Sequence, residues 1–124
     1  MRPKFRAWDG AKKEMFKDTF AITESGQVVV VEQEFVTSPP DYVFVDHLVI
    51  MQSTCLFDKN GKEIFEGDIV LVLDSPYTVF YDTEKGSYRL KPHDDRWNVD
   101  YMSNFSHGGN FEIIGNIYEN KEQL

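Results

Sequence analysis

The chain has 124 residues and a mass of 14.4 kDa, room for one core or for two small subdomains sharing one. Thirteen Lys and Arg stand against 21 Asp and Glu, a net charge of −8 that makes the chain as a whole unsuited to coating phosphate backbones. Hydrophobic residues at 41% and aromatic residues at 15% exclude general disorder.

The elements follow mostly with period two. Phe5-Arg6-Ala7-Trp8 reads as a short strand, Asp9-Gly10 as a turn that tolerates positive φ, and Glu14-Met15-Phe16 as the returning arm of a hairpin. Asp18 to Ile22 extends that arm, with Phe20 and Ile22 on one face. Ser25-Gly26 is the next turn, and Val28 to Val36 is a β-branched strand. Ser38-Pro39-Pro40-Asp41 is a loop, because proline donates no N–H and restricts its neighbour. Tyr42 to Val45 is a strand, and Asp46 to Gln52 is either a buried strand or one helical turn capped by Asp46.

Asp58-Lys59-Asn60-Gly61 joins Cys55-Leu56-Phe57 to Lys62–Phe65 as a hairpin, since Asn-Gly is a strong turn signal. Glu66-Gly67-Asp68 is a second tight turn. Ile69 to Leu73 is apolar on both faces and so reads as a central strand. Asp74-Ser75-Pro76 is a turn, and Glu84-Lys85-Gly86 joins the strands Thr78–Tyr81 and Tyr88–Leu90. Trp97, Tyr101, Met102 and Phe105 fall at amphipathic spacing and predict a short helix near 94–105, capped by Asp94 or Asp95. Phe111 to Tyr118 closes the chain as a strand with a bulge at Gly115. The whole reads as all-β: residues 1–54 form an N-terminal β region, and residues 55–124 have the character of a small SH3-like barrel.

Charge is uneven along the chain. Residues 1–17 carry six basic and two acidic residues, +4, which leaves −12 on the rest. The residues picked out for partner binding are Arg2, Lys4, Arg6, Trp8, Lys12 and Lys13. Three readings apply to this segment: a solvated hairpin face, a nucleic-acid contact with Trp8 stacking on a base, or self-association against the acidic remainder of another copy. The aromatics, in excess of one core, either pair across strands or line an interface. Cys55 is the one cysteine, so no intrachain disulfide forms. Its role is a buried small hydrophobe or, less commonly, a reactive thiol. No signal peptide and no spanning segment is read, so the expected compartment is the cytoplasm and no membrane contact is expected. His93-Asp94-Asp95 with His107 offers metal-ligand types at a spacing that matches no known signature, so no metal and no cofactor is assigned.

Three blocks carry a family resemblance. Phe5-Arg6-Ala7-Trp8-Asp9 resembles the opening of the YopX-like family of phage and prophage proteins. Met51-Gln52-Ser53-Thr54 with Leu56 to Val70 resembles its central signature, and Ile114-Gly115-Asn116-Ile117-Tyr118-Glu119-Asn120 its ending. Cys55 stands where the family usually has Gly, which suggests a positive φ there and a local turn altered to suit cysteine. The resemblance implies intertwined β subdomains in a single domain over 1–124, a bacterial host, and no catalytic residues to carry over. The function expected is therefore a non-enzymatic binding or assembly module acting on a phage or host protein, or as a homo-oligomer. Nucleic-acid binding through the basic segment, and a metal-dependent hydrolase using His93 and His107, are the alternatives.

Overall fold

Short apolar runs punctuated by Gly, Asn and Asp favour strands and tight turns over helices. A computed structural model describes residues 4–17, 20–32, 37, 39, 41–94, 96, 98–102 and 111–119. The fold is all-β, as expected. Its strands are β1 (Phe5–Asp9), β2 (Glu14–Phe16), β3 (Phe20–Ile22), β4 (Val28–Glu32), β5 (Asp41–Val45), β6 (Leu48–Phe57), β7 (Glu63–Phe65), β8 (Asp68–Val72), β9 (Ser75–Asp82), β10 (Ser87–Pro92), β11 (Asp100–Tyr101) and β12 (Phe111–Asn116). The chain divides into a larger unit, residues 1–4 and 52–124, and a smaller one, Phe5–Met51. Strand β6 begins in the smaller unit and ends in the larger.

The larger unit is built on an antiparallel sheet of order β11-β10-β9-β8-β12. Within it β8 lies between β9 and β12, and its Ile69, Val70 and Val72 are all buried, so both faces are covered as the unbroken aliphatic run requires. Val70 and Val72 pack with Ile64, Tyr77, Val79, Leu90, Met102 and Phe111. Each fully buried aliphatic side chain contributes about 2 kcal/mol. The expected bulge is present: the β12–β8 register shifts between Ile113 and Gly115, where extra local twist helps the sheet curl.

The family-signature residues hold this unit together through the backbone. Asp58 is buried; its Oδ1 accepts the N–H groups of Asn60 at 2.9 Å and Lys62 at 2.8 Å, and its Oδ2 accepts Ile113 N–H at 3.1 Å. One carboxylate thus closes the Asn60-Gly61 turn and ties it to β12. Burial pushes the Asp58 carboxyl up, but the N–H groups of Lys62, Ile113 and Asn60 outweigh it and hold the group below the usual aspartate range. Asp68 Oδ2 accepts Phe65 N–H at 2.8 Å across the Gly67 turn. Asn116 Oδ1 accepts the N–H groups of Tyr118 and Glu119 after β12.

The stretch 53–57 is where β6 leaves regular pairing, its register with β7 shifting between Ser53 and Phe57. Side-chain hydroxyls replace the missing ladder bonds. Cys55 N–H donates to Ser53 Oγ at 2.9 Å, Leu56 N–H to Thr54 Oγ1 at 3.2 Å, and Thr54 Oγ1 to the Ile64 carbonyl at 2.7 Å. Ser53 Oγ also hydrogen-bonds Glu63, and the Tyr88 hydroxyl donates to the Ser53 carbonyl at 3.3 Å. Burial raises the Tyr88 pKa to about 12. Cys55 has φ 65, so the positive φ implied by the usual glycine is present here with cysteine in the position.

Several expectations need correction. The turn placed at Asp74-Ser75-Pro76 lies instead at Leu73-Asp74, both with positive φ, while Ser75 and Pro76 open β9 opposite Val72 and Leu71. A two-residue turn with both φ positive matches strand twist, and it takes Leu73 out of the central strand to 84% exposure. Of the described residues in the helix expected near 94–105, only Met102 has helical backbone, a single 3-10 position. Asp100 and Tyr101 form β11, paired with Leu90 and Arg89, because a sheet edge offers them ladder partners that outweigh local spacing. Residues 95, 97 and 103–105 lie outside the described residues. The Asp46–Gln52 alternative resolves as strand, not as a capped turn. Phe20–Ile22 does not extend β2; it pairs with β4 in a separate sheet. Of Val28–Val36, the strand covers Val28–Glu32, and 33–36 lie outside the described residues.

In the smaller unit β1 and β2 form the expected hairpin, with Ala7 opposite Phe16 and Trp8 opposite Met15, and β1 lies between β2 and β6. Asp9 Oδ1 accepts Ala11 N–H at 3.0 Å and Lys12 N–H at 3.1 Å, closing the turn. The Lys12 N–H above all holds the Asp9 carboxyl below its usual range; His47, whose Nε2 is 3.3 Å from Asp9 Oδ2, acts in the same direction. A second sheet in this unit has the order β3-β4-β5.

Candidate interaction surface

The sheet β3-β4-β5 gathers side chains that a solvated surface does not normally carry. Antiparallel partners share a face, so the register sorts them. Phe20 pairs with Val30, Ile22 with Val28, Val28 with Val45 and Val30 with Val43, which places all six on one face. None of the six is fully buried. The other face holds Ala21, Val29, Tyr42 and Phe44, of which Val29 is buried while Tyr42 is 67% and Phe44 66% exposed. An antiparallel sheet usually has one apolar face and one polar face. This one is apolar on both, and its outer strand β5 bears two large, open aromatics.

The sheet's composition explains the pattern. Val28 to Val31 is a run of four valines, so strand alternation puts valine on both sides, and Tyr42-Val43-Phe44-Val45 does the same with aromatics on one side. An open cleft of about 610 Å³ adjoins the end of this sheet, lined by Gln27, Val28, Phe44, Val45, Leu48 and Ile50, among others, with Asp46 at its edge. Covering Tyr42 and Phe44 would be worth about 2 kcal/mol each.

Of the residues picked out from the sequence, Arg6 and Trp8 are buried while Lys4, Lys12 and Lys13 are exposed. Arg2 lies outside the described residues. Lys4 is exposed and lies 3.6 Å from Glu63. Arg6 is 6% exposed and Trp8 8%, so both side chains are buried. Lys12 and Lys13 remain exposed on the hairpin turn.

Of the candidate metal ligands, His93 and Asp94 are among the described residues. His93 Nε2 hydrogen-bonds Thr78 Oγ1 at 2.7 Å, and Asp94 pairs with Arg96 at 2.7 Å. Asp95 and His107 lie outside the described residues. Among the described residues no three of His, Cys, Asp and Glu come together. Sequence reasoning missed β5 as a site because strand and interface share one residue preference there. The available signal was the pair of apolar faces implied by two adjacent β-branched and aromatic runs.

The family model for the YopX protein matches residues 4–124. The chain belongs to the YopX protein family. A solved structure, the crystal structure of protein EF1440 from Enterococcus faecalis, is similar with a TM-score of 0.68 and 34% identity, over 100% of this chain and 99% of that one. No curated protein matches the chain. Within this YopX family chain, the resemblance blocks at 51–70 and 114–120 coincide with the turns and bulges described above, while the exposed sheet lies in the stretch between the first two blocks.

Proposed function

We propose that this YopX family protein is a phage- or prophage-encoded, non-enzymatic binding or assembly module that works in the host cytoplasm through protein–protein contacts. The observation that carries the reading is the sheet β3-β4-β5, apolar on both faces and ending in exposed Tyr42 and Phe44. Signature residues such as Asp58 and Asp68 bond backbone N–H groups, which is an architectural use and supports a non-catalytic role. The reading retains residues 55–124 as an SH3-like subdomain, supported by the meander β8-β9-β10 with β12 on the far side of β8. Nucleic-acid binding is the weaker reading, because Arg6 and Trp8 are buried.

The test replaces Tyr42 and Phe44 by serine together. Both side chains are open, so the thermal midpoint is expected to stay within about 3 °C of the parent. The parent is expected to associate with itself, or with a second protein at a defined ratio, and the double variant to lose that association. An unchanged association, or none by the parent at any concentration, contradicts the reading.

A further inference from the structure

Among the described residues the smaller unit has three edge strands, β2, β3 and β5, and β2 and β5 are flanked by opposite charges. β2 is the outer strand beside β1, with exposed Lys12 and Lys13 before it and exposed Lys17 after it. β5 is the outer strand beside β4; the exposed Asp41 opens it and the exposed Asp46 follows it. None of these five residues forms an ion pair with another described residue. Along each edge, alternate N–H and C=O groups point away from the paired strand, where an added strand can meet them.

We propose that β2 of one copy adds to β5 of a second copy, so that the chain associates with itself through unlike edges. The proposal rests on the reading of β3-β4-β5 as a contact surface and names its occupant. In an antiparallel pairing with Met15 opposite Val43, Phe16 meets Tyr42, Glu14 meets Phe44 and Lys17 meets Asp41, while the basic turn that holds Lys12 and Lys13 lies toward Asp46 beyond the end of β5. An aromatic pair then sits next to an opposite-charge pair, the arrangement that stabilises cross-strand neighbours, with a second basic-to-acidic match where the strands end. The like-with-like alternatives are opposed by charge. β5 on β5, centred at Val43, brings Asp41 of each copy toward Asp46 of the other. β2 on β2, centred at Met15, sets Lys13 against Lys17. Only the unlike pairing neutralises both edges, so charge selects it and suppresses the others. Because the contact is heterologous, each copy offers one β2 and one β5, and assembly proceeds to a closed ring or a longer chain.

Charge-swap complementation tests this on the full chain. One variant carries Asp41→Lys with Asp46→Lys; the other carries Lys12→Glu with Lys17→Glu. Sedimentation velocity is run from about 1 μM to 1 mM, where contacts of this size are measurable, and circular dichroism checks that each chain is folded. The parent is expected to associate in a salt-sensitive way. Each variant alone is expected to associate at least about tenfold more weakly. An equal mixture of the two is expected to recover association, since each basic edge then finds an acidic one. Should a swap variant fail to fold, Asp41→Asn with Asp46→Asn and Lys12→Gln with Lys17→Gln take its place, each expected to weaken association and its salt dependence. Swaps that leave association unchanged, or a mixture that does not recover it, overturn the pairing. A parent that stays monomeric yet binds another protein through Tyr42 and Phe44 overturns the pairing and leaves the contact-surface reading standing. A parent that does neither overturns both.

Discussion

Asp58 shows how one side chain can organise several segments. Its carboxylate receives three backbone N–H groups from a turn and from a strand 55 residues away in sequence. Asp58→Ala leaves those donors without an acceptor, so urea unfolding is expected to show a loss of about 3 kcal/mol or more. The carboxyl is held below its usual range, so its contribution is complete above the unfolded aspartate value near 4 and is lost as pH falls through the lower folded value. Acid titration of the parent should therefore show a loss of stability below about pH 4 that the Ala variant lacks. Cys55 makes the opposite point. It occupies left-handed backbone at φ 65, where an L side chain is strained by about 1–2 kcal/mol. Cys55→Gly is expected to raise stability by about 1 kcal/mol and Cys55→Val to lower it, compared by thermal unfolding. A gain from valine would show that side-chain packing, not backbone strain, governs that position.

At the scale of elements, the tight turns were the most legible part of the fold. Asn60-Gly61 and Gly67 read correctly because their chemistry is local: few residues other than Gly or Asn sit at positive φ without cost. The Leu73-Asp74 turn was not legible, because leucine does not advertise positive φ and Pro76 two residues after Asp74 drew the turn towards itself. Strand twist and the β8–β9 ladder impose that turn on an unsuited leucine. Leu73→Asn with Asp74→Gly is therefore expected to stabilise the chain by about 1 kcal/mol, measured as a shift in the urea midpoint, since Leu73 is exposed and loses no packing. β11 was misread as helix for the same physical reason. Ladder partners on β10 lie some ten residues away and leave no local trace in the sequence.

For the whole molecule, the −8 charge conceals a pattern that the fold makes concrete. Basic residues bracket β2 and acidic ones bracket β5, and both strands are sheet edges of one unit. Self-association between basic and acidic regions was readable as a prospect from segment charge. The exposed apolar sheet was not, because alternation in Val28–Val31 and Tyr42–Val45 gives no sign of which face is covered. The proposed function places protein contacts on that sheet. The most direct measurement is photo-crosslinking from position 44, with Phe44 replaced by a benzophenone-bearing phenylalanine in the full chain expressed in a bacterial host, and adducts identified by mass spectrometry. The expected result is one dominant protein adduct, to β2 of a second copy where the unlike-edge pairing operates. Photolysis that yields no protein adduct, with position 44 reacting with solvent alone, would contradict the account.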